Sequence, residues 1–421
     1  MRHDPSAEAN AVHELVQREL AQLPIADVHT HLFDPGMDGL LLAGIDELLT
    51  YHYHVAELFR ARPDLRPEDF WGQSIEERAN LVWRELFVER SPLSEVGKSV
   101  VGMLRDFGLD PTAGDLGEAR SFFADATRDL PGHVDRVLGM AGVREVCMTN
   151  DPLDPAERPL WDRGFERDPR FVAALRLDSA IMEWPKAVPA LRALGYDVED
   201  ARTDRTIAEL RRYLVDWHRR MDARYMAVSL PPVIGYPQSE APWLDLLVRA
   251  VIPAASEVGC PVALMIGVRR QVAPRLALAG DSLGATDVES LERLANDHPD
   301  TRFYVTLLAR EGQHALCVAA RKFANLVPFG CWWFVNVPSL TDEITRMRLD
   351  LLGPTFVPQH SDARVLEQLV FKWGRSRAWL GRVLGSHYAD LAASGGRVTA
   401  ETVRRDLTSM LGQCFAAPQR G

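Results

Sequence analysis

Cysteine is scarce in this chain of 421 residues: there are five, an odd number, with no CxxC pair. Cys147, Cys260, Cys317, Cys331 and Cys414 therefore offer neither a disulfide framework nor a cysteine zinc site, and they fit a reducing, cytoplasmic compartment. Basic residues are outnumbered, 48 against 59, for a formal net charge of −11. Such a chain is poorly suited to phosphate backbones or anionic lipid, so neither nucleic acid nor a membrane is an expected partner. No apolar run approaches the roughly 18 residues of a membrane span. The first 23 residues carry Glu8, Glu14, Arg18 and Glu19 and lack the apolar stretch of a signal peptide. Internal repeats and low-complexity segments are lacking too. What remains is 47% hydrophobic and 25% charged, the composition of a globular chain long enough to bury a large core without staples.

Eight short apolar runs recur along the sequence. They cover 25–33, 143–151, 171–178, 225–232, 261–267, 302–310, 326–335 and 356–363. Several are nearly continuous in hydrophobic residues, as strands buried on both faces are. Helical patterns lie between most of them, at 206–221 and 243–258 for instance. Alternating strands and helices predict a parallel sheet, and eight of them predict a distorted (β/α)8 TIM-type barrel; an open doubly wound sheet is the alternative. About a hundred residues separate the first two runs. There Ser74 and Glu77 form a capping-box pattern, and 94–107 is amphipathic and ends at Gly108. The expected organisation is 1–34 for an N-terminal helix and strand one, 35–140 for a helical insertion acting as lid or pocket wall, and 141–421 for the rest of the barrel and C-terminal helices.

Chemistry gathers at the ends of these runs. His29-Thr30-His31 closes run one, and residues i and i+2 of a strand face the same side. Two imidazoles converging on a barrel mouth are half of a metal site, although HxH alone is common. Asp362 lies on run eight, which neighbours run one in a closed barrel, and can complete the set; it can also cap the helix expected at 365–373. Histidines on strand one with an aspartate on strand eight resemble the amidohydrolase superfamily. Runs four, five and six end without the lysine or further histidines that two-metal hydrolases of that superfamily use. Arg176 ends run three, and Arg364 lies two residues past Asp362. Guanidinium forks facing a barrel mouth suit a small carboxylate substrate, with an ion pair such as Arg176–Asp178 as the structural alternative. Trp332 and Trp333 end run seven and either stack on a sugar face or pack in the core. Ile45, Leu48, Leu49, His52, Ala56 and Phe59 share a helical stripe, which puts His52 on its buried side with Tyr53 beside it.

Several blocks together are similar to the uronate isomerases, a divergent branch of that superfamily: DVHTHLF (27–33), DELLTYHY (46–53), MTNDP (148–152), ALRLD (174–178), MAVSLPP (226–232), FGCWWF (329–334) and FVPQHSDARVLEQL (356–369). The likeness is to the shorter bacterial form. It implies reversible aldose–ketose isomerisation of D-glucuronate to D-fructuronate, or of D-galacturonate to D-tagaturonate, through an enediol. It further implies a divalent metal, expected to be zinc, on His29, His31 and Asp362. Asp362 also matches the base for ring opening, and His52 and Tyr53 match a conserved pair, with Tyr53 the candidate for proton transfer at C2. Arg176 and Arg364 match substrate-binding positions. The expected partner is a small-molecule uronate, and self-association is left open. Two other classes compete: a mononuclear metal-dependent hydrolase such as a lactonase, which lacks the usual extra ligands, and a non-catalytic binder of acidic sugars, which has no need of His29, His31, Tyr53 and Asp362 together.

Overall fold

The computed structural model describes residues 5–37 and 39–415. The ends of the expected segments, residues 1–4 and 416–421, and residue 38 of the expected insertion lie outside them. Seven strands, β1 (Ile25–Thr30), β2 (Val143–Asn150), β3 (Phe171–Arg176), β4 (Met226–Leu230), β5 (Val262–Ile266), β8 (Phe303–Leu307) and β9 (Leu326–Pro328), form one curled parallel sheet in that order. Between β5 and β8 the chain makes a small antiparallel ladder, β6 (Val268–Arg269) with β7 (Ser282–Leu283). Every residue of β1, β5 and β8 is buried, as their near-continuous apolar sequence requires. Each large apolar side chain so buried contributes about 1.5–3 kcal/mol.

The eighth run is not a ladder strand. Its start bridges to the chain after β9, with Val357 N donating to Pro328 O (3.1 Å) and Gly330 N to Val357 O (2.8 Å). Its end reaches the other edge of the sheet: Asp362 N donates to His29 O (3.1 Å) and His31 N to Ala363 O (2.7 Å). This segment thus bonds to both edges of the curled sheet, giving a TIM-like architecture. Regular pairing fails because Asp362 takes a left-handed backbone (φ 53°) and because the Asp27 carboxylate captures Ser361 N (3.0 Å). Asp362 does not cap the following helix, which begins only at Gln368.

Inside the sheet's curve pack Val28, Cys147, Ala174, Tyr225, Ala263, Tyr304 and Phe329. Phe415 enters this interior and stacks on Tyr304 with centroids 3.8 Å apart. Between β1 and β2 the chain runs through helices that include Ile45–Leu49, His52–Ala61, Ile75–Trp83, Glu95–Asp106 and Leu130–Ala141. The capping box at Ser74 and Glu77 is formed, and Ser94 caps the amphipathic helix through Gly97 N. The apolar stripe from Ile45 to Phe59 is split between two helices at Thr50 and Tyr51, and this break turns the chain at the very point where it meets the site.

Candidate active site

β1 carries His29 at its C-terminal end, and His31 follows one residue past the strand. Their rings lie 5.4 Å apart, edge to face. Asp362 Oδ1 sits 3.8 Å from His29 Nε2 and 3.4 Å from His31 Nε2. One donor atom from each of the three residues falls within 4.8 Å of the others.

The hydrogen bonds behind the rings decide which nitrogens face inward. Tyr225 Oη donates to Val28 O (2.8 Å), so it accepts from His29 Nδ1 (3.1 Å). Thr149 Oγ1 likewise donates to Thr30 O (2.9 Å) and accepts from His31 Nδ1 (2.8 Å). Both Nε2 atoms therefore present lone pairs toward a carboxylate oxygen. His29 Nε2 and Asp362 Oδ1 are buried without a hydrogen-bond partner. Three electron-rich atoms gathered this way repel unless a cation lies among them, and neutral imidazoles held by their far nitrogens are the form that ligates metals. The donor set thus fits a divalent cation. Burial lowers the pKa of His29, and the nearby rings of His31 and His360 add to that. Burial alone would raise the Asp362 carboxyl; the imidazoles of His31, His29 and His360 around it outweigh that and hold it well below the usual range.

This cluster opens on a cavity of about 120 Å³. Arg176, Arg364, Trp332, Trp333 and His52 all line it. Arg176 Nε is 3.3 Å from Asp178, so the structural ion pair and the position at the mouth coexist. Arg364 is exposed, and its guanidinium has no hydrogen bond or ion pair among the described residues. Trp333 adopts a left-handed backbone (φ 48°) just after β9 and brings its ring 5.1 Å from that of His52.

Tyr53 is not in this wall. It lines an adjoining cavity of about 360 Å³, which shares His52 and Trp333 with the first. Tyr51 faces the cluster cavity instead, because the helix begins at His52 and the residue before it takes an extended backbone. Both ring nitrogens of His52 lack partners, and burial lowers its pKa to about 4, which leaves a neutral imidazole. Burial pushes Tyr53 up, keeping it a phenol.

Sequence reasoning passed over Tyr225, Thr149, Tyr51 and Arg270. Strand alternation held a signal for the first two: Tyr225 shares its parity with Ala227 and Ser229, and Thr149 with Cys147. Arg270 gave none. It lies in an irregular loop after β6, paired with Asp281 at 2.8 Å, and lines the cluster cavity.

A TIM-like sheet with two histidines at the end of β1 and an aspartate beyond β9, their lone pairs gathered about one point, defines a barrel protein with a candidate metal centre at its mouth. No family model and no curated protein matches the chain. Among solved structures, a uronate isomerase from Bacillus halodurans C-125 is 45% identical, covering 96% of this chain and 94% of its own, with a TM-score of 0.91. The chain belongs to the uronate isomerase family. A uronate isomerase from Thermotoga maritima (16% identical, 95% of each chain, TM-score 0.71) shares the fold. So does a glucuronate isomerase from Caulobacter crescentus (15% identical, 96% of this chain and 92% of its own, TM-score 0.66).

Proposed function

We propose that this protein interconverts an aldose and a ketose hexuronate, D-glucuronate with D-fructuronate and/or D-galacturonate with D-tagaturonate. The observation that carries this reading is the cluster of His29, His31 and Asp362 opening on a cavity that holds His52 and the unpaired guanidinium of Arg364. Arg364 is free to grip a carboxylate bidentately, and Arg176 and Arg270 line the same wall. The residues between 35 and 140 serve as a wall of the site through Tyr51, His52 and Tyr53. Five free thiols support a cytoplasmic location.

His29, His31 and Asp362 would hold a divalent ion, with zinc expected from nitrogen and oxygen donors, and when bound it would supply positive charge to the site. Asp362, ionised at neutral pH, takes the anomeric hydroxyl proton as the sugar ring opens. His52 and Tyr53 move the proton between C2 and C1: the neutral imidazole accepts, and the phenol donates. No other histidine lines the cluster cavity, so a hydrolase reading lacks the further ligands it needs.

The test is incubation of the metal-loaded protein with each uronate in deuterated water, followed by NMR. Ketose carrying solvent deuterium at C1 is expected. A folded, metal-loaded sample that yields neither ketose nor exchange rules the reading out.

A further inference from the structure

The larger cavity has no role in holding the metal, yet two of the proton-transfer candidates, His52 and Tyr53, stand in its wall. Isomerisation raises a demand for positive charge that a neutral imidazole and a neutral phenol do not meet. As the C2–H bond breaks, its electron pair forms the C1=C2 bond and the carbonyl pair moves onto O1. Full negative charge develops on that oxygen until a proton reaches it from O2, C2=O forms and C1 is protonated. Nothing is oxidised or reduced overall, so what the site must supply is a fixed positive charge beside O1.

Three cationic side chains line this cavity: Lys372, Arg375 and Arg382. Arg375 is committed to Glu95 at 3.0 Å, and it and Arg382 belong to the rim. Lys372 differs from both. It is half-buried, and its ammonium makes no hydrogen bond or ion pair among the described residues. Its backbone is pinned: the neighbouring Trp373 is fully buried and donates from Nε1 to Asp27 Oδ2 (2.8 Å), while Asp27 Oδ1 holds Ser361 N beside Asp362. One carboxylate on β1 thus fixes the lysine's helix relative to the metal-binding cluster.

Resting on the isomerase reading above, we propose that Lys372 is a catalytic residue whose ammonium binds the oxygen that becomes negative in the enediolate. The open-chain uronate then lies across the junction of the two cavities, its carboxylate on the arginines of the smaller and its C1 end at His52, which lines both, between Asp362 on one side and Tyr53 and Lys372 on the other. Burial lowers the lysine's pKa, with Asp362 and Asp27 acting in the opposite sense; this brings its proton nearer to the operating range of an acid catalyst.

The experiment is steady-state kinetics of Lys372→Met, alongside wild type, with metal content and melting temperature measured on both. Expected are a kcat lower by about 100-fold or more, KM within about threefold, and unchanged metal content, since a donor aimed at developing charge acts on the transition state. In Lys372→Ala, added ethylammonium should restore part of kcat, which a purely structural lysine would not allow. Should the methionine variant not fold, Lys372→Gln carries the same measurement. A variant with kcat within threefold of wild type, or with KM alone raised, overturns the proposal while the isomerase reading stands. A wild type inactive on both hexuronates overturns the two together.

Discussion

Tyr225 dictates which nitrogen of His29 bears hydrogen, and Thr149 does the same for His31. Each has its own hydroxyl proton engaged by a backbone carbonyl, so each can only accept from the imidazole behind it. Removing such support typically weakens metal binding by about 10–100-fold. Tyr225→Phe and Thr149→Val should show that loss in a chelator-competition titration while the far-UV spectrum is unchanged; full metal affinity in both would mean that the tautomers are set otherwise. The three residues of the candidate metal centre were legible as a group because HxH is a local pattern and Asp362 stands in a long, specific block. Their supports were hidden, since a tyrosine and a threonine inside apolar runs read as ordinary strand residues until the runs are set side by side.

The helices and connections around the site obey rules of their own. The stripe from Ile45 to Phe59 has the spacing of one helix, but the chain breaks at Thr50 and Tyr51, so Tyr51 rather than Tyr53 faces the cluster. Periodicity gives a helix's face and does not report a two-residue kink within it. The turn after β9 is equally exact. Gly330 has φ +62°, and a Cβ there would collide with the ring of His360. Gly330→Ala should therefore lower stability by several kcal/mol, combining a strained backbone with overpacking, read as a drop in melting temperature.

Histidines in these elements also set a pH limit. Burial lowers His52, His54 and His360 to about 4 in the fold, against about 6.5 in an unfolded chain. Groups with a depressed folded pKa of this kind favour the neutral form, so their stabilisation is full above pH 6.5 and lost as pH falls toward 4. Each accounts for about 3 kcal/mol over that window. Asp27 opposes them: burial raises its carboxyl to about 6, so its contribution grows as pH falls from 6 toward 4. Glu157, raised by burial to about 8, opposes them as well, but three histidines outweigh these two carboxyls, and the urea midpoint should drop between pH 7 and pH 4.5. A flat midpoint would mean that these rings are solvated.

Across the whole molecule, seven of the eight apolar runs are strands of one sheet, because residues buried on both faces leave an unmistakable sequence trace. The eighth was legible as a run but not as an irregular one: its course follows from Asp27 capturing Ser361 N, a contact between residues 334 positions apart that no local pattern encodes. Metal belongs to this scale as well, since an ion bound only by the native state adds stability in proportion to the logarithm of its concentration over Kd. Prolonged dialysis against a strong chelator should lower the melting temperature, and re-addition of zinc should restore it. Equal melting curves with and without the ion would dissociate the cluster from the fold.

The bond from Asp362 N to His29 O has a further consequence for how the chain reaches its working state. Two of the three candidate ligands are near the start of the described chain and the third is near its end, so no early folding intermediate built from local contacts owns a complete set. Long-range closures of this sort are slow. The candidate metal centre is complete only when the first and last parts of the barrel meet, so metal capture in a refolding experiment should time ring closure itself.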